Sequence, residues 1–160
     1  MREETRATNQ VISNGMLKAV QDPTETFVVP KEKAPVPYLN FAPLQNAIAK
    51  LNESAKRYQS DAKNKPITPA NRKELDRVLF GSERLLTRKE GLPRRDWFKH
   101  QIYAPGFYTG YGVKTLPGIR EAIEQRNWQE ATEQIDIAAK TIERFAAEID
   151  RAANFYVWIP

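Results

Sequence analysis

The sequence predicts an all-α protein: a helical bundle of three to four main helices, with a long proline-, glycine- and tyrosine-rich loop between the second and third of them. Three observations predict it. Apolar residues recur at three- and four-residue spacing through most of the 160 residues, which is the mark of amphipathic helices. No stretch alternates at the period of two that a half-buried strand requires. In HQIYAPGFYTGYGVKTLPGI, residues 100–119, the helical period is lost. Two prolines, four glycines, three tyrosines, a phenylalanine and the only histidine of the chain stand in its place.

The first element, residues 3–21, is a weak helix. Val11, Ile12, Met16, Leu17 and Val20 lie near four-residue spacing, and Gly15 works against them. DPTETFVVP follows as a turn and a short apolar run. Pro30, Pro35, Pro37 and Pro43 make residues 31–43 an extended connection, because proline fixes φ, lacks a backbone donor and keeps the residue before it out of the helical region. The first clear helix covers 41–62. Asn40 caps it, and Leu44, Ala47, Ile48, Leu51, Ala55 and Tyr58 share one face. Thr68 and Pro69 open the second helix as a favourable cap and first-position pair. Its stripe is Leu75, Val78, Leu79, Leu85 and Leu86, and it stops near KEGLP (89–93). Thr115 and Pro117 open a short helix that carries Ile119, Ala122 and Ile123. The last helix has the best local signal. Asn127 and Glu130 fit a capping box, and Trp128, Ala131, Ile135, Ala138, Ile142, Phe145, Ala146 and Ile149 keep the helical period. Its many alanines let a neighbouring helix approach closely. The apolar end, NFYVWIP, docks on the bundle or on a partner; this tail and the alanine-lined helix are the expected exposed patch.

The charge pattern bounds the partners. There are 25 Lys and Arg against 20 Asp and Glu, but the cations are interspersed with acids. Even the densest cluster, TRKEGLPRRDWFK (87–99), contains Glu90 and Asp96. Nucleic-acid binding needs a one-sided basic stripe, so a solvated surface is the better reading and no nucleic-acid partner is expected. No apolar run approaches the ~20 residues of a membrane-crossing helix, so no direct membrane insertion is expected. MREETRATNQ lacks the apolar core of a signal peptide. With no cysteine, disulfide and thiol chemistry are excluded.

The parts of an enzyme are missing. A metal centre needs several converging His, Cys or acidic ligands; here there is one histidine, and the acids sit on mixed-charge helical faces. His100 is the only possible triad base, and it reads better as a packed or hydrogen-bonded structural residue. Gly106, Gly110, Gly112 and Gly118 do not follow a phosphate-loop pattern. No catalytic residue, metal ligand or cofactor is expected in the chain. Tyr103, Phe107, Tyr108 and Tyr111 either plug the end of the bundle or form a contact surface, since long aperiodic loops in compact domains are often functional and tyrosine offers a rigid face with a polar tip.

One further feature of the residues separates these readings. Leu92-Pro93, then an aromatic and a basic residue before His100, then Ile102-Tyr103-Ala104-Pro105, a Tyr-Gly loop, Leu116-Pro117-Gly118-Ile119, Trp128 and a long alanine-rich helix occur in one order. That order resembles the C-terminal helical domain of the transferrin receptor and glutamate carboxypeptidase family, the transferrin receptor-like dimerisation domain. The resemblance is densest over 90–150. Residues 37–90 match the two preceding bundle helices more loosely, and 1–36 look like the last helix and exit of the family's peptidase domain.

The resemblance implies a division into 1–36, a remnant of an upstream peptidase-like domain and linker, and 37–160, the helical dimerisation domain. It implies a two-fold homodimer through the bundle and a peptidase domain upstream as the second partner. It also implies two zinc ions held in that missing domain, none being held here. The parent is then a zinc carboxypeptidase or aminopeptidase, and the chain a piece of it. An extracytoplasmic location, periplasmic or secreted, is suggested by the family alone. Loop 105–115 would border the active site, where a Lys-Tyr pair of the glutamate-preferring members holds the substrate's terminal residue. The matching positions here are Gly110 and Tyr111, so the tyrosine is kept and the lysine is not; Lys114, three residues on, is the available substitute. Tyr108, Gly110, Tyr111 and Lys114 are the substrate-adjacent residues on this reading, and His100, Tyr103, Pro105 and Pro117 shape the loop. A metal-free receptor-type relative and a free-standing helical interaction module are the alternatives.

Overall fold

The computed structural model describes residues 1–20, 22, 24, 26 and 28–157. The chain divides into two units, one reaching Tyr38 and one beginning at Leu39.

In the first unit, helix α1 spans Arg2–Ser13 and a 3-10 turn follows at Met16–Val20. The helix expected over 3–21 therefore breaks early. Gly15 takes a left-handed φ of +67°, a conformation that glycine enters without steric cost and that ends helices. The proline-rich return has no ladder of its own. It is tied to α1 by Asn9, whose amide donates to the Lys33 carbonyl at 2.7 Å and accepts from the Lys33 N–H at 3.0 Å. Arg2 donates to the Pro37 carbonyl at 2.9 Å.

The second unit is mainly helical. It contains α2 (Ala42–Asn64), α3 (Pro69–Ser82), α4 (Pro117–Glu124) and α5 (Trp128–Ala153), and one small antiparallel hairpin, β1 (Tyr103–Pro105) with β2 (Val113–Thr115). The start signals of α3 and α5 act as the sequence implies. Thr68 Oγ1 accepts from the Asn71 N–H at 3.2 Å, and Asn127 Oδ1 accepts from the Glu130 N–H at 3.2 Å. The expected cap Asn40 is displaced by one residue: the N-cap of α2 is Phe41, which makes no side-chain cap bond, and Asn40 before it accepts from the Ala42 N–H at 3.0 Å. Two further expectations are corrected. The second helix does not run on to 89–93; it ends at Ser82 and tightens into a 3-10 turn at Glu83–Leu86. The aperiodic loop is not free of strands. Each strand is three residues long, too short for a period of two to show in sequence.

The core is the seam between α2 and α5. Leu44 and Ala47 of α2 join Ile135, Ala138, Ala139 and Ile142 of α5 in one buried cluster, completed by Ile119 of α4. The alanine-lined face of α5, expected as an exposed patch, is buried: small side chains let α2 come close, and interaxial distance follows side-chain size. A second cluster of Leu75, Val78 and Ala152 takes in Tyr58, Ile67, Phe155 and Tyr156. The tail is thus held back on the bundle as far as Val157, whose N–H donates to the Pro66 carbonyl at 3.2 Å; residues 158–160 of the expected patch lie outside the described residues. Tyr58 meets Tyr156 edge-on at 5.8 Å, and burial, then the bond to Tyr156, pushes its phenol up to about 12. The large apolar side chains that face solvent include Val157 in the tail and, elsewhere, Phe80, Trp97, Tyr108, Tyr111 and Val113.

Ala47 is completely buried, so Ala47→Leu inserts three carbons into a closed seam. Overpacking of this kind costs about 1–3 kcal/mol. Chemical denaturation of the variant should show a loss in that range, and an unchanged midpoint would mean that the seam has slack.

Candidate functional site

The aperiodic stretch becomes a short hairpin on a built base. The approach to it is a tight turn, Leu92-Pro93-Arg94-Arg95, closed by a bridge between Leu92 and Arg95. Gly91 enters the turn at φ +72°, and a Cβ there would lie 2.2 Å from the Asp96 carbonyl oxygen. Arg94 holds a left-handed φ of +61°. Its guanidinium grips Glu130, in the first turn of α5, through two bonds of 2.7 and 2.8 Å.

Arg95 turns the other way, into the protein. It is 3% exposed and its partner Glu121, on α4, is 2% exposed. Arg95 Nη2 donates to Glu121 Oε1 at 2.6 Å, and Nη1 donates to the Pro105 carbonyl. The same carboxylate oxygen accepts from the Phe107 N–H at 2.9 Å. The guanidinium lies 5.2 Å from the Phe98 ring centroid and 5.7 Å from that of Phe107, within cation–π range.

From that base the strands pair Tyr103 with Thr115, Ala104 with Lys114 and Pro105 with Val113. The tip, residues 106–112, closes on a bond from the Gly106 N–H to the Gly112 carbonyl at 2.9 Å. Gly110 supplies the left-handed residue of the tip at φ +64°. Tyr108 and Tyr111 are exposed, Tyr111 fully so. Lys114 is not at the tip. Its Nζ pairs with Glu124 Oε2 at 2.5 Å, on the flank of α4, and residues 106–112 contain no cation. Pro105 ends β1, and Pro117 is buried as the first residue of α4. The cap of α4 is Leu116 at φ +48°, in place of the expected Thr115, which is the last residue of β2.

His100 stands at the root of the hairpin. Its Nδ1 accepts from the N–H groups of Ile102 and Tyr103, both at 3.2 Å, which assigns the proton of the neutral ring to Nε2. Nε2 is buried with no partner among the described residues. The ring packs on Tyr103 at 4.0 Å, and the Tyr103 hydroxyl donates to Glu83 at 2.9 Å. Burial holds the imidazole below its ordinary 6.5, with the Glu83 charge acting in the opposite direction.

The structure therefore brings Tyr108, Gly110 and Tyr111 together at one tip, sets Lys114 apart on the base and uses His100, Tyr103, Pro105 and Pro117 in the scaffold. Arg94, Arg95 and Glu121 were not singled out by the sequence, and Glu130 only as part of the capping box. The only signal of the two arginines was the PRRD cluster, and a mixed-charge cluster reads as surface until a partner 26 residues away comes into contact. The arrangement can bind: it offers phenol groups on a fixed turn. No three His, Cys, Asp or Glu residues converge on a metal position among the described residues, and the resemblance places its zinc ions in the upstream domain.

Two outcomes follow from this geometry. Gly91→Ala forces a side chain into both a left-handed backbone and the Asp96 carbonyl, and non-glycine strain of that kind costs about 1–3 kcal/mol; a denaturation midpoint equal to that of the parent would show the turn to be pliable. His100 binds its proton less readily folded than unfolded, so its contribution to stability is complete above pH ~6.5 and is lost as the pH falls through the lower folded-state value. Between pH 7 and 5 the parent protein should lose more stability than His100→Asn, whose amide oxygen takes the Nδ1 position without titrating. Equal losses would remove His100 from the acid response.

The transferrin receptor-like dimerisation domain family matches residues 39–150 of the chain. A protein of Arthroderma benhamiae named "Probable glutamate carboxypeptidase" is 32% identical over 109 residues, which is 66% of this chain and 15% of that protein. A protein of Arabidopsis thaliana named "Probable glutamate carboxypeptidase LAMP1" is 39% identical over 70 residues, 39% of this chain and 10% of its own length. A second Arabidopsis thaliana relative is 33% identical over 96 residues, 60% of this chain and 13% of its own. The chain spans no more than about a sixth of these relatives. With its bundle, its hairpin and a match running from the residue after Tyr38 almost to the end of α5, the chain belongs to the transferrin receptor-like dimerisation domain family.

Proposed function

We propose that the chain serves as the helical dimerisation domain of a glutamate carboxypeptidase-like zinc exopeptidase, and that hairpin 105–115 borders that enzyme's active site. The observation that carries this is the tip: Tyr111 is fully exposed and Tyr108 largely so, on a turn whose base is pinned by buried and charged contacts. An exposed aromatic on a rigid mount is what a contact surface needs, because little ordering entropy is lost on binding. Two zinc ions and the reacting groups belong, on this reading, to an upstream peptidase domain, of which residues 1–36 are the last part. The pairing is a two-fold homodimer, the commonest closed assembly. An extracytoplasmic location goes with the reading and is supported by the resemblance alone.

Tyr111 acts through its hydroxyl, bonding the terminal carboxylate of a peptide. The tip has no cation beside it, and Lys114 is engaged with Glu124, so a second, side-chain carboxylate on the substrate gains no charge-assisted bond there. In the full-length protein, Tyr111→Phe should lower kcat/KM for peptide hydrolysis about tenfold, the value of one hydrogen bond to a charged group, with the melting temperature unchanged. Peptides ending in an uncharged residue should be cleaved at least as well as those ending in glutamate. Unchanged kcat/KM in Tyr111→Phe would remove the hairpin from the active site.

A further inference from the structure

We propose that Arg95 and Glu121 are positioning residues: together they set where the hairpin tip, and with it Tyr111, stands relative to the bundle. The inference rests on the reading of the hairpin given under Proposed function. Its ground is where the pair's bonds go. Arg95 holds the Pro105 carbonyl and Glu121 holds the Phe107 N–H. These two backbone groups stand on either side of Gly106, the residue whose own N–H closes the tip on Gly112. One ion pair thus fixes both peptide units at which the chain leaves β1 for the tip. On the other strand Lys114 is tied to Glu124, three residues along α4 from Glu121, so the two strands are moored to the same helix.

Stability is a poor reason for such a pair. Taking two charges out of water is costly for each ion, and apolar replacement of buried pairs is often neutral or stabilising. The pair is also not saturated: Arg95 Nε is buried with no partner among the described residues. What an apolar pair of the same volume could not do is bond the two peptide groups beside Gly106. Directional bonds to backbone groups specify a geometry that packing alone leaves loose.

The test exploits that difference. In the full-length protein, Arg95→Met with Glu121→Leu replaces the pair by apolar side chains, and Tyr111→Phe is prepared in parallel and in combination. Melting temperature, kcat and KM for a peptide substrate, and amide hydrogen exchange along the hairpin are read in each. Expected is a double variant that melts within a few degrees of the parent, loses about tenfold in kcat/KM, and exchanges its amides at 106–112 about tenfold faster with α5 unchanged. Adding Tyr111→Phe to it should cost less than twofold more, because the tyrosine is already misplaced. If Tyr111→Phe alone lowers kcat/KM while the folded double variant turns over and exchanges like the parent, the positioning role is overturned and the active-site reading stands. If Tyr111→Phe has no effect, the active-site reading fails, and exchange alone decides whether the pair positions the tip. Should the apolar pair not fold, Glu121→Asp keeps the charge and shortens the reach by one carbon. Faster exchange confined to the hairpin supports positioning there, and parent-like exchange overturns it.

Discussion

The helical unit depends on one contact, the closure of α2 on α5 across Ala47, Ala138 and Ala139. Side chains this small contribute little apolar area each, but they allow the backbones to approach, and Leu44, Ile135 and Ile142 then fill the space on either side. With α5 fixed in this way, its first half becomes the platform for α4. The fit there is equally close: a Cβ on Gly118 of α4 would lie 2.3 Å from the Gln134 side chain of α5. The hairpin hangs from α4 in turn, through Glu121 and Glu124. Each level borrows its rigidity from the one beneath, and the exposed tip is three steps from the core that holds it.

Burial explains why the chain distributes its charges as it does. Most ion pairs here lie at the surface, such as Arg77 with Glu74, and exposed pairs of this kind contribute about 0–1 kcal/mol. Adjacent residues in one turn, Arg94 and Arg95, have opposite fates. Arg94 faces solvent and clamps the first turn of α5, where Glu130 also favours the helix dipole. Arg95 is enclosed, and its desolvation is offset only by the carboxylate and carbonyl it meets and by two aromatic rings. The left-handed φ of Arg94 is what sends the two guanidinium groups in different directions.

Much of this was legible in the sequence where the determining signal is local. Thr68 and Asn127 cap where their side chains predict, because a cap bond spans only three residues. The long period of α5 made it the surest element. What could not be read was set by distant partners. The alanine face of α5 looked like a surface awaiting a neighbour, and the neighbour was α2, about ninety residues earlier in the chain. Arg95 looked solvated because Glu121 follows 26 residues later. The strands escaped notice because pairing, not pattern, defines three-residue strands. At the tip, Gly110 and Tyr111 were identified through their neighbours in the motif, while Lys114, also on the loop in sequence, is drawn away by Glu124.

The state of His100 follows from the same hierarchy. Two backbone N–H groups point at its Nδ1, and both belong to the residues that lead into β1. A proton on Nδ1 would face two donors at 3.2 Å, so charging the ring means releasing the Ile102 and Tyr103 amides and loosening the strand's first turn. Glu83 draws the ring the other way, but its carboxylate already accepts from the Tyr103 hydroxyl, so its pull on the imidazole only partly offsets burial. The histidine therefore reads as an acceptor built into the backbone of the hairpin root. Catalytic chemistry would require its Nε2 to reach a substrate, and that atom is buried, at the opposite end of the strand from the tyrosine tip.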